Sequence, residues 1–153
     1  MLNGLFFPST VSTTPSSARM VFNVATATSD QFDSYTNGGQ NIAGAVPNVS
    51  GSSGTVYTPV RVQILIKQVP GVAPAPINPI YKLQRVRGGV TTDLTTNINW
   101  TGFTTSDSVT ISTALVGGVT LLADDVVKVV PVSGSGTSGY LYTVNIEATY
   151  TPS

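Results

Sequence analysis

The sequence predicts an all-β protein, an antiparallel β-sandwich or jelly roll preceded by an extended N-terminal arm. Three observations predict this fold class. Apolar residues recur at every second position, which is the period of a half-buried strand, and no segment shows a helical period. Gly, Pro, Asn and Ser clusters divide the chain into seven or eight short strands. The length of 153 residues suits one domain that can bury a real core.

Residues 1–19 are predicted to form the arm and residues 20–153 the sandwich. The apolar tip of the arm contains four large side chains: Leu2, Leu5, Phe6 and Phe7. A stalk of Ser, Thr and Pro follows, without the periodicity of helix or packed strand. An apolar tip is costly to leave in water, so we expect it either to fold back on its own core or to dock on a neighbouring subunit.

Period two begins at Met20 and predicts the first strand. Residues 29–58 follow as a loop that is long enough to hold a short strand, attached to the body through Tyr35, Ile42 and Val46. The clearest strand is Val60–Lys67, which alternates apolar and polar residues as expected for an antiparallel sheet with one face in water.

Residues 70–79 carry four prolines and are predicted to be a loop. The runs 80–87 and 90–98 flank Gly88-Gly89, the pattern of a hairpin with a primed turn. This hairpin register places Arg87 opposite Val90, Leu83 opposite Leu94 and Gln84 opposite Asp93.

Further strands are predicted at 108–112, 119–123 and 125–132, and a last strand at 140–150 alternates cleanly. The segment 125–132 is apolar on both of its faces apart from Lys128. Such a pattern is typical of a strand buried on both sides, and we expect this strand to be buried.

The chain contains no histidine, no cysteine and one glutamate, Glu147. The usual general acid/base, the thiol nucleophile and the commonest transition-metal ligands are therefore absent. We predict no enzymatic activity, no catalytic residue, no cofactor and no metal. Asp124 and Asp125 are adjacent and would point to opposite faces of a strand, so we expect them to cap a turn rather than to act as a pair.

Charged residues make up only 9% of the chain, and seven basic residues balance seven acidic ones. Zero net charge argues against nucleic-acid binding, which needs an excess of Lys and Arg. No apolar run approaches a membrane span, and no basic residue precedes the N-terminal tip as in a signal peptide. The protein is expected to be made in a cytoplasm. A charge-poor surface favours association and is easier to understand if partners cover it.

Three local patterns have a structural and a functional interpretation. Residues 134–139 match G-x-G-x-x-G, but a strand pattern follows instead of a helix, which favours a hairpin loop over a phosphate site. Asp30, Asp33 and Asp107 could surround calcium, although surface turns are the simpler expectation. Four aromatic residues could form a sugar-stacking platform or pack in the core: Tyr35, Tyr57, Trp100 and Phe103.

The chain resembles bacteriophage virion proteins, particularly capsid decoration (cement) proteins and the jelly-roll heads of tail fibres. The features that carry the resemblance are the arm over Met1–Arg19, the Ser/Thr/Val/Gly strands and an end on a core strand. In addition, Leu121–Val127 is similar to the L-x-A-G-D-x-V turn of tumour-necrosis-factor-like trimeric jelly rolls. Asp124 stands where that family has glycine.

The resemblance implies a non-enzymatic component of the virion that clamps neighbouring subunits of the shell. Its partners would be the major capsid protein or other virion subunits, and it would be a homo-oligomer, with a trimer favoured. No nucleic acid and no membrane are expected as partners. The alternative is a tail-fibre or carbohydrate-binding module that presents Trp100, Phe103 and Tyr57 to a glycan.

Overall fold

The computed structural model describes residues 4, 16–28, 42–71, 80–99, 108–133 and 140–152. Within these residues the chain is all-β and antiparallel, as predicted, and no helix is present. The strands in chain order are β1 (Ala18–Thr28), β2 (Ile42–Ala45), β3 (Thr58–Gln68), β4 (Ile80–Arg87), β5 (Val90–Asp93), β6 (Ile98–Asn99), β7 (Ser108–Ser112), β8 (Val126–Ser133) and β9 (Tyr140–Tyr150).

The strands form two sheets that pack face to face. The front sheet has the order β1-β9-β3-β7, and the back sheet has the order β2-β8-β4-β5, with β6 paired to β4. Every described strand pair is antiparallel. The last strand, β9, lies between β1 and β3, so the first and last strands are neighbours and Ala18 at the start of β1 lies opposite Tyr150 at the end of β9.

The core lies between the sheets and is built from alternate residues of their strands, as period two requires. The largest fully buried side chains come from both sheets and from the segments that join them: Tyr57, Tyr81, Tyr142, Ile64, Leu83, Leu94, Leu121, Ile146, Val46 and Val62. The predicted inward face of β3 is confirmed, because Val62, Ile64 and Ile66 are buried.

The predicted hairpin is confirmed, but it is shorter than expected. Arg87 pairs with Val90 and Gln84 with Asp93. Gly88 and Gly89 both have positive φ, 54° and 79°, which is the conformation of the primed turn. The second strand ends at Asp93 rather than at residue 98.

A bulge explains this early end. The amides of Leu94 and Thr95 both donate to the carbonyl oxygen of Leu83, at 2.8 and 3.2 Å, so two residues stand opposite one. The Thr95 hydroxyl accepts a hydrogen bond from the amide of Leu83 at 2.9 Å. A side-chain oxygen thus stands where a backbone carbonyl of the neighbouring strand would accept. Pairing with β4 resumes only at β6.

The predicted strand at 119–123 is absent. Only Leu121 pairs, in an isolated bridge with Tyr57. The neighbouring carbonyl of Thr120 is not available to a ladder, because it accepts hydrogen bonds from the side chains of Arg85 and Arg87 at 2.9 and 3.2 Å. The apolar residues of 119–123 predicted a strand, but the arginine side chains occupy the backbone carbonyl that a strand would use for its ladder.

The first strand begins at Ala18, where it pairs with Tyr150, two residues before the predicted start at Met20. The long segment 29–58 contains the short strand β2, and Val46 after it is buried while Ile42 packs against the core. Tyr35 lies outside the described residues.

Strand β8 is buried on one face only. Val127 and Val129 are in the core, as expected. Val126 and Val130 on the opposite face are half-buried, and Val132 is 44% exposed. The expectation that both faces are buried is therefore wrong for the single chain, because no described strand covers the outer face of the back sheet.

Candidate functional site

The base of the N-terminal arm lies at an edge of the front sheet. Strand β1 is the first strand in the order of that sheet, and among the described residues its only ladder partner is β9. Ten residue pairs hold β1 to β9 across its length. Residues 16 and 17, which precede β1, are exposed, and they are joined to a firmly paired strand.

An arginine–glutamate cluster fixes this base on the outer face of the front sheet. Arg19 Nη1 donates to Glu147 Oε1 at 2.9 Å, and Arg61 Nε donates to Glu147 Oε2 at 2.5 Å. Arg61 stands directly opposite Glu147 in the β3–β9 register. Arg19 approaches Glu147 from the opposite strand, β1. Val21 stands directly opposite Glu147 in the β1–β9 register, and Arg19, two residues earlier on the same face of β1, is its diagonal neighbour.

Glu147 is only 4% exposed although it points away from the core. A carboxylate out of water needs compensation, and two guanidinium groups supply it. The two arginines remain in contact with solvent, since the side chains of Arg19 and Arg61 are 69% and 36% exposed. The cluster thus carries one excess positive charge and binds three strands, β1, β9 and β3, to each other.

A β-bulge lies in the second half of the β1 edge, where β2 also comes into close contact. The β1–β9 register shifts between Asn23 and Ala25. The Asn23 side chain donates to the Ala25 carbonyl at 3.2 Å and to Asn145 Oδ1 at 3.1 Å, which stabilises the irregular backbone. At the bulge, β2 approaches so closely that a Cβ on Gly44 would lie 2.3 Å from the Val24 oxygen. The open part of the β1 edge is therefore its first half, next to the arm.

A second charged cluster holds the segment before β8. Arg87 binds Asp125 through two hydrogen bonds, Nε to Oδ1 at 2.8 Å and Nη2 to Oδ2 at 2.6 Å. Arg85 lies alongside and donates to the Thr120 carbonyl and to the Thr92 hydroxyl. These contacts attach the turn that precedes β8 to the hairpin strand β4.

Asp125 is buried and ionised. Burial acts to raise its pKa, but the hydrogen bonds from Arg87 and from the Leu122 amide outweigh burial and bring the pKa below its ordinary value. The hydrogen bond to Asp125 in turn raises the pKa of Arg87. The Leu122 amide donates to Asp125 Oδ2 at 2.8 Å, which confirms the predicted turn-capping role of this aspartate.

Asp124 adopts a left-handed backbone conformation with φ 69°. Glycine enters this region most easily, and Asp and Asn tolerate it better than other residues. The position is the one at which the tumour-necrosis-factor-like turn has glycine. The backbone of this turn thus explains how aspartate can stand there.

Tyr57 does not belong to a ligand platform, which corrects the sequence expectation. Its ring is completely buried, and its hydroxyl accepts a hydrogen bond from the Val49 amide at 3.2 Å. It packs edge-on against Tyr150 with 5.5 Å between the ring centroids. A ring in this position has no free face for a sugar.

The other predicted site residues lie outside the described part of the chain. They are the arm residues Leu2, Leu5, Phe6 and Phe7, the aromatic residues Tyr35, Trp100 and Phe103, the glycine motif at 134–139 and the three aspartates Asp30, Asp33 and Asp107. Their placement stays a prediction.

The chemistry available to the described residues is mainly electrostatic. Glu147, Asp93 and Asp125 each form an ion pair with Arg or Lys. In the described ranges no three His, Cys, Asp or Glu residues come together as they would around a metal ion. A shallow groove beside β9 is lined by uncharged residues only: Ser52, Gly54, Thr55, Val56 and Thr151. Over the same described part of the chain, no helix is long and apolar enough to cross a membrane.

Sequence reasoning missed both charged clusters. The signal for the first was present, since Glu147 is the single glutamate and stands on the polar face of its strand. Which arginines reach it depends on the pairing of strands that lie far apart in the chain, and a lone sequence does not reveal that pairing.

Comparisons with known proteins give no family for this chain. A scan against models of protein families finds no match, and a search of curated proteins finds no similar sequence.

Proposed function

We propose that this chain is a structural virion protein, a capsid decoration (cement) protein that stabilises the shell by clamping neighbouring subunits. The arm is the clamp, and the sandwich is the body that carries it. Its partners are the major capsid protein or other virion subunits, and its place is the virion after synthesis in the host cytoplasm. The mechanism is burial of surface and addition of backbone hydrogen bonds, without a reaction.

The position of the arm base is the observation that carries this proposal. The arm continues an edge strand, so it can extend away from the sandwich without crossing the domain. An arm with an apolar tip at a sheet edge is suited to reach a neighbouring protein and to pair with it by strand addition.

The clamp also requires a firm attachment to its own body. The ten β1–β9 residue pairs and the arginine–glutamate cluster supply it, because Arg19, immediately after the start of β1, is tied to Glu147 of β9. A force on the arm would therefore be borne by the centre of the front sheet, through β9 and β3.

The surface composition gives further support. Several large apolar side chains are exposed in the single chain, among them Val21 at 56% and Val90 at 64%. Together with a charge content of 9%, this surface is poorly suited to an isolated protein at high concentration. Partners that cover it, including further copies in a trimer or another homo-oligomer, remove this difficulty.

The test is the composition of particles of the virus that encodes the chain. Quantitative mass spectrometry of purified, nuclease-treated particles should find the protein in a fixed and high ratio to the major capsid protein. Cryo-electron microscopy of the same particles should show it on the outside of the shell, with the arm on an adjacent subunit. Absence from the particles, or a few copies at the tail only, would contradict decoration.

A tail-fibre or carbohydrate-binding module is the second candidate, and the buried position of Tyr57 counts against it. Trp100 and Phe103 are the remaining members of the proposed platform. A glycan-array screen, followed by titration of Trp100 fluorescence, separates the two functions, because a sugar-binding module must show saturable quenching or enhancement and a decoration protein must not.

A further inference from the structure

One end of the sandwich, here named the arm end, is the end at which the N-terminal arm is joined to β1. Ala18 at the start of β1 lies opposite Tyr150 at the end of β9, and β3 begins beside them. The back sheet reaches the same end, because Tyr57, just before β3, pairs with Leu121 in the segment that leads into β8. The arm end consists of residues 46–57, 88–90, 116–125 and 151–152, all of which are described.

Exposed valines are concentrated at the arm end. Six large hydrophobic side chains of the described residues are exposed, and three of them, Val49, Val56 and Val90, belong to this end, with 47%, 48% and 64% exposure. Val49 and Val56 lie outside any strand, so the preference of strands for β-branched residues does not explain them. Both adjoin Tyr57, since Val56 precedes it in the chain and the Val49 amide donates to its hydroxyl. The fold of the single chain does not require these valines.

The loops of the arm end are held in place by the body of the sandwich. The backbone groups of Tyr57 and Leu121 exchange two hydrogen bonds, each of 2.8 Å. The Val46 amide donates to the Asp125 carbonyl at 2.8 Å, and Arg87 binds the carboxylate of the same aspartate. A surface that is already ordered loses little conformational entropy when a partner binds, which favours docking.

The part of the arm end next to the arm carries no charge. The shallow groove of uncharged residues includes Val56 and Thr151, and Thr151 directly follows Tyr150, so the groove lies beside the base of the arm. The arm end contains two charged residues. Asp125 is buried and paired with Arg87, and Asp124 is the one that is exposed. Because charged residues are depleted in the core of interfaces, an apolar partner surface fits this end.

We propose that the arm end is the surface of the sandwich that rests on the shell subunit to which the arm attaches. This orientation rests on the proposed function, and it adds the surface of the body that meets the shell. Arm and docking surface are then continuous, because the arm joins the body at this end. The strands stand upright on the shell, and the opposite end, where β1 and β3 end and β9 begins, points away from it.

The size of the arm end explains why an arm is needed as well. Four strands about 4.8 Å apart, in two sheets that are each about 10 Å thick, give the end of a sandwich an area of about 400 Å². Specific interfaces bury about 800 Å² on each partner, so this end alone supplies about half of that area. The arm has to supply the remainder, and we expect neither part to hold the protein on the shell by itself.

Cysteine accessibility on reconstituted particles tests this orientation, because the chain has no cysteine of its own and a single introduced thiol can be followed. Val56→Cys and Val90→Cys place the thiol at the arm end. Lys67→Cys and Val132→Cys are the matched controls, since both residues are exposed and lie near the opposite ends of β3 and β8. On particles, a maleimide should label the arm-end variants at least about tenfold more slowly than in the free protein, because the core of an interface excludes water. The controls should react equally fast in both states.

Val90 separates docking of the body from docking of the arm. It lies on β5, whereas β1 lies against β2 at the other edge of the back sheet. Circular dichroism of each free variant checks folding, and either arm-end variant is sufficient for the comparison. Arm-end labelling at the rate of the free protein, or equal protection of the controls, would overturn the orientation. Failure of the wild-type chain to attach to particles would instead contradict the proposed function, and the orientation with it.

Discussion

Asp125 is the carboxylate on which the turn before β8 depends. We predict that Asp125→Asn lowers the free energy of unfolding at pH 7 by about 1–3 kcal/mol, because it removes the charge from two hydrogen bonds to Arg87 in a buried place. The pKa of Asp125 is depressed in the folded state, so the unfolded state binds the proton more readily. The stabilisation is therefore complete above the ordinary aspartate pKa of about 3.9 and is lost as the pH falls through the lower pKa of the folded state.

Urea unfolding of both proteins between pH 7 and pH 2.5 checks this. The difference between them should be constant down to about pH 4 and should shrink below it. Asp124→Asn is the control, since Asp124 is exposed and asparagine tolerates its left-handed backbone. An Asp125→Asn difference that does not change with pH would mean that the carboxylate charge contributes nothing.

The sequence predicted only part of the arginine–glutamate cluster around Glu147. Alternation in β9 correctly placed Glu147 on the outer face. The same argument would leave it in water, yet the two arginines reduce its exposure to 4%. Glu147 is buried because the long arginine side chains of the two adjacent strands lie over it. The alternation of apolar and polar residues along a single strand cannot predict this kind of burial.

The contact between β1 and β2 joins the edges of the two sheets and depends on one glycine. We predict that Gly44→Ala lowers the free energy of unfolding by about 1–3 kcal/mol, since the added Cβ would lie 2.3 Å from the Val24 carbonyl oxygen and 3.0 Å from its carbon. Both atoms are backbone, so the strands themselves must separate. Urea midpoints of the variant and the wild-type protein give the measurement.

Gly54→Ala is the matched control for this contact. A Cβ at Gly54 meets nothing within 4 Å, so the change should be neutral or should stabilise by up to about 1 kcal/mol through the unfolded state. If Gly44→Ala proved as harmless as Gly54→Ala, close approach of β2 to the bulge would not limit the fold.

Period and turn chemistry predicted the elements that depend on local sequence. The Gly88-Gly89 hairpin has its predicted register because two positive φ angles fix a two-residue turn. The end of β5 and the absence of a strand at 119–123 depend instead on side chains that occupy backbone groups, Thr95 in the first case and the pair Arg85 and Arg87 in the second. Hydrophobic pattern carries no information about such competition.

The sequence predicted the architecture of the whole molecule, but it did not predict which strand faces are buried and which are exposed. A chain without a helical period has to bury strands against strands, which gives the sandwich. The double-sided valine pattern of β8 was read as burial within the chain, and the structure shows that only one side is satisfied there. Among the described residues the other side of β8 is half-buried or exposed, and the hydrophobic pattern does not say which of two apolar sides meets the core.

The arm gives the corresponding prediction for the assembly. Deletion of residues 1–17 removes the apolar tip and the stalk but leaves β1, which begins at Ala18, complete. We predict that the truncated sandwich stays folded, because the buried hydrophobic residues described for the core all lie at or after Met20. Attachment to particles from which the protein has been removed should weaken strongly, since each of Leu2, Leu5, Phe6 and Phe7 contributes about 1.5–3 kcal/mol when buried.

Thermal unfolding and a sedimentation binding assay with such particles measure the two effects separately. Full-length protein with Leu2, Leu5, Phe6 and Phe7 all changed to Ser should lose attachment as well, which assigns the effect to the tip rather than to the stalk. The stalk alone cannot replace it, because ordering costs about 1–2 kcal/mol per residue and is offset only if strand addition supplies backbone hydrogen bonds. A truncated chain that binds with unchanged affinity would show that the arm is not a clamp between subunits. A truncated chain that does not fold would show that the arm is instead part of the sandwich.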